Sequence, residues 1–220
     1  MAPRNRYKTN RLEAFSDGVF AIAITILVLE ITVPVAAELD MVNAIVSQWP
    51  SYLAYVISFA TIGAAWLAHS VITEYLDRVD ATFVRINLIL LMVVAFIPFP
   101  TRLLAEHVAA REAEKIAAAF YGTFLLLASV ITFWLWRYAT GHGRVRADVG
   151  DEDLDVVTDR LTPGIGGYVV LIGLGFVAPI AAVIGYLLIA LFFLIPFPVP
   201  ILERDRVRRR REQRGRGRQP

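Results

Sequence analysis

One acidic residue, Asp17, lies near the start of an apolar stretch that is long enough to cross a membrane and runs from Arg11 to Val33, where Pro34 stops it. An ionisable group inside a membrane helix is costly, so it marks a functional or assembly site by default. His69 and Asn87 fall at a similar depth on the next two apolar segments. Polar groups in a bilayer must find partners, so these three side chains are expected to hydrogen-bond one another.

This polar set permits two interpretations, and Ser16 and Trp66 are close enough in sequence to belong to it. In the first, it is a clamp of hydrogen bonds that positions the first helix. In the second, Asp17 and His69 relay protons or ions, and the protein is a secondary transporter or proton-coupled carrier. The clamp is favoured because polar pairs between membrane helices are worth only ~0.6 kcal/mol on average and act mainly in positioning. The chain also shows no inverted repeat and no helix broken at mid-membrane, as a carrier would.

The first helix also carries a regular stripe, which we call the seam: Gly18, Ile22, Thr25, Leu29 and Thr32. Their spacing places them within roughly 60° of one another on an α-helix. A seam of this period suits the packing of several copies of one helix around an axis, although simple packing against a neighbour gives the same pattern. Glu30 falls on the other side of the helix.

Composition defines the class of protein. Hydrophobic residues make up 57% of the 220 residues, charged residues make up 19%, and the mean hydropathy is +0.57. Soluble domains carry about 25% charged residues, so the chain is predicted to be one all-α integral membrane domain. The absence of cysteine excludes thiolate catalysis and disulfides. No paired histidine spacing, P-loop or GxSxG sequence is present, so neither an enzyme nor a bound cofactor is expected.

The apolar segments predict six transmembrane helices per subunit. They lie at 11–33, at 49–71, between Arg85 and Arg102, at 116–136, and in two passes within 165–202 that turn near Pro179 to Gly185. The last segment needs two passes because a single helix of that length would be nearly twice the ~30 Å thickness of the hydrocarbon core. The acidic run from 148 to 155 is interpreted as a solvated linker, because it lacks the glycine and closing glutamate of a calcium loop.

Basic residues orient these helices. Of the 22 Lys and Arg, 19 fall on the side that carries both termini, which places the N- and C-termini in the cytoplasm. The predicted organisation is a cytoplasmic N-terminus at 1–10, a six-helix transmembrane domain at 11–203 and a basic cytoplasmic tail at 204–220. Because the tail directly follows a helix, we interpret it as a topogenic signal that contacts anionic lipid, with no nucleic-acid partner.

Several short motifs together resemble one known family. They are Arg11-x-x-x-Phe15-Ser16-Asp17, the following Ala21-Ile22-Ala23-Ile24-Thr25, Trp66-x-x-His69, Asn87, and Pro98-Phe99-Pro100-Thr101. Over residues 11–104 the chain is similar to the transmembrane protein 175 family of potassium channels. Animal members carry two six-helix repeats, whereas this chain has one and so resembles a prokaryotic member.

The resemblance implies a homotetramer in the cell membrane, with four copies of the first helix around a central pore. Its hydrophobic constriction falls on Ile22, its outer hydrophobic layer on Leu29 and its pore-facing hydroxyl on Thr25, while Gly18 leaves the cytoplasmic mouth wide. The resemblance also ties the first helix to the next two through a hydrogen-bond network comprising Arg11, Phe15, Ser16, Asp17, Trp66, His69 and Asn87.

The function implied is that of a potassium-preferring monovalent cation channel, with potassium as the permeant ion and membrane lipid as the surroundings. The TVGYG filter of ordinary potassium channels is absent from the sequence, so another constriction must select the ion. Four neutral hydroxyls in a flexible ring should discriminate weakly, which predicts a modest preference for potassium over sodium.

Overall fold

The computed structural model describes residues 9–32, 40–107, 111–141 and 143–195. The expected stop at Pro34, the basic tail and both chain ends, which were predicted to be cytoplasmic, lie outside these ranges. In chain order the helices are α1 (Thr9–Ile26), a 3₁₀ turn (Leu27–Glu30), α2 (Met41–Ser47), α3 (Trp49–Glu74), α4 (Ala81–Phe96), α5 (Pro98–His107), α6 (Arg111–Thr140), α7 (Asp151–Gly175) and α8 (Pro179–Leu194).

The first membrane helix does not remain α-helical to Val33, as the apolar run had predicted. Its α-helical part ends at Ile26, and the chain tightens into the 3₁₀ turn before leaving helical geometry at Ile31. Six of the ten residues from 22 to 31 are β-branched, and such side chains lose rotamer freedom in a helix. A 3₁₀ turn advances about 120° per residue, so the α-helical projection of the seam holds only as far as Ile26.

The third apolar segment is longer than its uncharged core suggested. The helical stretch Ala81–His107 has a junction at Ile97, directly before Pro98, and contains both Arg85 and Arg102. Proline has no N–H to donate and disturbs the preceding turn, which accounts for the junction. The two arginines therefore lie within the helical stretch, whereas the sequence had placed them at its limits.

The acidic run does not form a linker along its whole length, and that interpretation was wrong. Helix α7 begins at Asp151, so Glu152 and Asp153 lie in its first turn, where carboxylates interact favourably with the helix dipole. The last two helices are joined by residues 176–178, directly before Pro179, which is the first residue of α8. The turn thus falls just before the predicted range, and the whole of that range, up to Gly185, lies inside α8.

Four helical stretches are long and apolar enough to cross a membrane: Thr9–Glu30, Trp49–Glu74, Ala81–His107 and Glu112–Thr140. Helix α8 is apolar but has only 16 residues, and α7 opens with acidic residues. Within the described ranges, β pairing is limited to an isolated antiparallel bridge between Leu76 and Val145. The prediction of a multi-pass helical membrane protein is confirmed, while six passes remain a prediction.

Close packing between α6 and α8 depends on a glycine in the middle of α6. A Cβ placed on Gly122 would clash with the hydroxyl oxygen of Tyr186 and would lie 2.9 Å from Ile172. Tyr186 is fully buried, and its hydroxyl donates to the carbonyl of Ala118 at 3.3 Å. The ring therefore has little room to withdraw.

We expect Gly122→Ala to lower the free energy of unfolding by about 1–3 kcal/mol, the usual cost of overpacking. The matched control is Gly166→Ala in α7, where a Cβ meets nothing within 4 Å. That change should be neutral or stabilising by up to ~1 kcal/mol, because alanine favours a helix over glycine. Thermal unfolding of both variants in detergent checks the prediction, which equal melting temperatures would contradict.

Two loops at the same end of the bundle are tied together around Asp80. The backbone N–H of Asp77 donates to Arg144 O at 3.0 Å, beside the Leu76–Val145 bridge. The Asp80 carboxylate pairs with the buried guanidinium of Arg144 and accepts the Tyr138 hydroxyl at 3.1 Å. This loop clamp links the α3–α4 connection to the α6–α7 connection.

The loop clamp should make the free energy of unfolding depend on pH under acidic conditions. Burial raises the pKa of Asp80, but hydrogen bonds from Arg144, the Phe83 backbone and Tyr138 outweigh that effect and lower the pKa to about 2. Because the folded-state pKa lies below the ordinary value of 3.8, the stabilisation is present above that value and is lost as the pH falls from there towards 2.

Asp80→Asn retains an N-cap for α4 but removes the charge. We expect a loss of about 1–3 kcal/mol at pH 7, and the difference in stability from the wild type should shrink as the pH falls from about 4 towards 2. Unfolding as a function of pH measures both effects. Asp77→Asn, whose carboxylate forms an exposed ion pair with Arg78, serves as the control. An equal loss of stability in the control would show that any negative charge in this loop contributes. It would contradict a specific role for the loop clamp.

Candidate functional site

Helix α1 lies at the edge of the subunit. In its most apolar stretch 28% of the residues are buried, against 50% in each of the other three long apolar helices. Its inner face packs against α3 and α4 and consists of Leu12, Ser16, Phe20 and Ala23. Leu27, in the 3₁₀ turn that follows, is buried as well. The opposite face has no cover within the described part of the subunit.

The seam residues lie on this uncovered face. Ile22 is 60% exposed and Leu29 is 71% exposed, although both are large and apolar. Gly18, Thr25 and Thr32 are exposed as well. In a membrane such a face must contact either lipid or a second protein surface, and the regular spacing of its small, apolar and hydroxyl-bearing residues suits a second copy of the same helix.

The hydroxyl of Thr25 is oriented by its own helix. It donates to the carbonyl of Ile22 at 2.9 Å. This bond uses the single proton of the hydroxyl and leaves its oxygen lone pairs as acceptors. The uncovered face therefore offers oxygen to a cation one helical turn beyond the bulky Ile22 side chain.

The inner face of α1 is held by a buried chain of hydrogen bonds. The Asn87 amide nitrogen donates to the Ser16 hydroxyl at 3.0 Å, and the Asn87 amide oxygen lies 2.8 Å from Nε2 of His69. All three side chains are at most 1% exposed. Because an amide oxygen can only accept, Nε2 must carry the hydrogen in this arrangement. The chain joins α1, α4 and α3 in that order.

Asp17 takes a different partner from the one that the sequence suggested. Its carboxylate accepts a hydrogen bond from the indole N–H of Trp66 at 2.8 Å, on an exposed part of the surface. Adjacent residues on a helix point about 100° apart, so only Ser16 faces the buried Asn87. The predicted network is therefore divided between two sites, the buried chain and an Asp17–Trp66 pair at its edge.

Two other members of the predicted network lie outside it. Arg11 is exposed, and Phe15 is 56% exposed, so neither joins the buried chain. Phe20 was not predicted but does pack there, with its ring centroid 5.6 Å from that of His69. Its place could have been read from the four-residue spacing that puts Leu12, Ser16 and Phe20 on one face of α1.

Glu30, the acidic residue of the 3₁₀ turn that follows α1, faces away from the seam. Glu30 lies 3.8 Å from Arg102, which also pairs with Glu106 at 2.8 Å. Within the described ranges no group of three His, Asp or Glu side chains could hold a metal ion. The described side chains of α1 take part in packing and in hydrogen bonds.

Together these features define a multi-pass helical membrane protein in which a polar-anchored edge helix presents a seam of apolar and hydroxyl-bearing side chains. Residues 11–98 match the family model described as endosomal/lysosomal potassium channel TMEM175. The chain belongs to the TMEM175 family, in agreement with the resemblance of its motifs.

Relatives extend this match along most of the chain. A potassium channel from Chamaesiphon minutus is 43% identical, over 78% of this chain and 86% of that protein. A potassium channel from Streptomyces collinus is 39% identical, over 84% of this chain and 91% of that protein. The crystal structure of a lysosomal potassium-selective channel TMEM175 homolog from Chamaesiphon minutus aligns with a TM-score of 0.77 and 38% identity, covering 84% of this chain and 95% of that one.

Proposed function

We propose that this protein is a potassium-preferring monovalent cation channel of the cell membrane, formed by four copies of the chain around a pore lined by α1. The observation that carries the proposal is the uncovered seam, in which large apolar side chains alternate with an oriented hydroxyl on a helix anchored from behind. Relatives that match most of the chain are named potassium channels, which supports the same assignment.

In this proposal Ile22 forms the constriction. Four such side chains narrow the pore until a hydrated ion must shed water or the pore dewets. Four Thr25 oxygens, one turn away, partly replace the lost hydration, and Leu29 forms an outer hydrophobic layer. Gly18 keeps the cytoplasmic mouth wide. Neutral oxygens in a flexible ring give only modest selectivity for potassium over sodium.

The polar residues act in this proposal as an anchor for the pore helix. Ser16, Asn87 and His69 hold the inner face of α1 against α3 and α4, and the Asp17–Trp66 pair holds its edge. Each bond fixes the rotation of α1 about its own axis, which in turn sets the direction of the Ile22 side chain. Packing helices α3 to α8 support this anchor, and they complete the proposed six passes with both termini in the cytoplasm.

A carrier using Asp17 and His69 is the alternative function. The hydrogen bond from His69 goes to Asn87, while Asp17 binds Trp66, so these two groups have no direct bond to each other along which a proton could pass. This arrangement favours positioning over transport by alternating protonation.

Recording from purified protein in a planar bilayer tests the channel directly. We expect discrete single-channel current steps in potassium, with a reversal potential in mixed potassium and sodium that indicates modest selectivity. Particles measured in detergent should have the mass of four subunits. Smooth electrogenic current without steps would support the carrier, and particles of one or two subunits would exclude a pore built from four α1 helices.

A further inference from the structure

A crevice of about 50 Å³ lies among α3, α6, α7 and α8, away from the seam of α1. Much of its wall consists of small side chains: Ala64, Ala65 and Ala68 from α3 and Ala128 from α6. Phe193, in the last turn of α8, borders it on another side. The small alanines leave space that larger residues would have filled in a close-packed bundle.

The crevice opens on the outer surface of the bundle. Ala64, Ala128 and Leu161 are buried in its interior, whereas Ala65, Ala68 and Phe193 are half-buried. These half-buried residues place the mouth between α3 and the last turn of α8. Since both helices are strongly apolar, the mouth faces the hydrocarbon of the membrane, where the available solvent is lipid acyl chain.

The size of the crevice restricts what can enter. Pockets for drug-sized ligands measure roughly 300–1,000 Å³, so a bulky ring system does not fit. A short stretch of a slender, flexible hydrocarbon chain does fit, and the mainly aliphatic wall matches it. Hydroxyls of Thr61 and Thr132 line part of the crevice, but they already donate to carbonyls of their own helices at 2.8 Å.

A positively charged side chain, that of Arg160, lies beside the mouth of the crevice. The Arg160 guanidinium donates to the carbonyls of Phe192 and Ile195, the latter at 3.1 Å, and so is fixed at the end of α8. Its central carbon lies 3.9 Å from the ring centroid of Phe192 and 5.7 Å from that of Phe193. The positive charge is thereby held next to the phenylalanine that borders the crevice.

A glycine keeps Phe193 in this position. A Cβ on Gly164 would lie 2.8 Å from the edge of the Phe193 ring and 3.3 Å from the Ser129 hydroxyl. Because glycine has no side chain, the ring can seat against α7, which keeps it from closing the space beside Ala68. The open crevice and the adjacent cation are thus both supported by neighbouring packing.

We propose that this crevice binds an anionic phospholipid, with one acyl chain between α3 and α8 and its phosphate beside Arg160. A guanidinium suits this role because its planar fork of donors matches phosphate oxygens. Basic residues near a membrane surface attract anionic lipid by about 1 kcal/mol each, which corresponds to about fivefold in affinity. The site is separate from the proposed pore and does not depend on ion conduction.

The test uses delipidated full-length protein in mild detergent, to which dioleoyl phosphatidylglycerol or dioleoyl phosphatidylcholine is added. Native mass spectrometry then counts the lipids retained per subunit. Wild-type protein should retain more phosphatidylglycerol than phosphatidylcholine. Arg160→Gln should reduce retention of phosphatidylglycerol about fivefold and that of phosphatidylcholine less, because the choline ammonium offsets the charge of the phosphate that the two lipids share. Ala68→Leu, which fills the crevice, should reduce retention of both lipids.

Arg137→Gln is the matched control, because Arg137 is an exposed arginine at the same end of the bundle and its loss changes the net charge equally. Retention of phosphatidylglycerol should be unchanged in this variant. An equal loss in Arg137→Gln and Arg160→Gln would overturn the proposal in favour of general surface attraction. Equal retention of the two lipids by wild-type protein would also overturn it.

The crevice itself is tested by a second filling variant, Ser129→Leu, which enters the same space from α6. Ser129 is half-buried, so a larger side chain there should be tolerated even where Ala68→Leu does not assemble. Reduced retention of both lipids is expected again. Undiminished retention in a folded crevice-filling variant would show that no acyl chain occupies this space.

Discussion

Ile22→Asn should increase potassium flux through the proposed pore by roughly tenfold or more, with loss of selectivity. Replacing four apolar side chains by amides wets the narrowest point, and a barrier lowered by only ~1.4 kcal/mol already gives a factor of ten. Ile22 is 60% exposed in the subunit, so its replacement should cost little subunit stability. Flux into liposomes and reversal potentials in mixed cations measure the two effects.

Val130→Asn is the matched control for this change. Val130 is β-branched and 40% exposed on α6, which does not carry the seam. Its replacement adds the same amide without placing it in the proposed constriction, so flux should remain close to that of the wild type. A well-folded Ile22→Asn tetramer with unchanged flux would remove Ile22 from the pore, and equal increases in both variants would indicate non-specific leak.

Asn87→Ala should weaken the attachment of α1 and lower both thermal stability and the yield of the assembled protein. The change leaves the buried Ser16 hydroxyl and His69 ring without their partner. Each unsatisfied buried polar group costs about 1–3 kcal/mol. Melting temperature and size-exclusion profiles measure the loss, and an unchanged profile would contradict an anchoring role.

Two further variants define this anchor. Asn87→Ala combined with Ser16→Ala should cost less than the sum of the single changes, because partners in one network are not additive. Ser70→Ala is the control, since the hydroxyl of Ser70 bonds only to the Trp66 carbonyl of its own helix, at 2.9 Å. It should leave the assembly intact.

Asp17→Asn separates anchoring from transport. The amide oxygen can still accept the hydrogen bond from Trp66, whereas the charge that a relay needs is gone. The proposed anchor predicts an assembled, conducting protein. An assembled and equally stable variant that has lost flux, or the dependence of flux on pH, would instead identify Asp17 as a group that handles ions or protons.

Much of the architecture could be predicted because it depends on local pattern. The apolar runs identified the membrane helices and their approximate order, and the motifs around Asp17, Trp66 and Asn87 identified the family. Hydropathy is a property of a segment and needs no knowledge of its neighbours, which is why these conclusions hold. The functions of individual pore residues remain proposals, since they depend on contacts between subunits.

Other features depended on how the helices are rotated and where they end. The sequence placed Asp17, His69 and Asn87 at one depth. The rotation of α1 instead lets Asn87 donate to Ser16, while Asp17 accepts a hydrogen bond from Trp66. The change to 3₁₀ geometry after Ile26 and the start of α7 at Asp151 were not predicted either. Both occur where backbone preference, capping and packing compete within a single turn.

By itself, then, the sequence determined a membrane protein of the TMEM175 family whose first helix has one seam and one polar face. Periodicity and composition are sufficient for that, because they follow from the order of residues along one helix. Tertiary structure decided which polar groups meet, how Asp80 and Arg144 join two distant loops, and where Arg160 stands relative to a crevice. Such contacts join residues far apart in the chain, so only the packed orientation of the helices determines them.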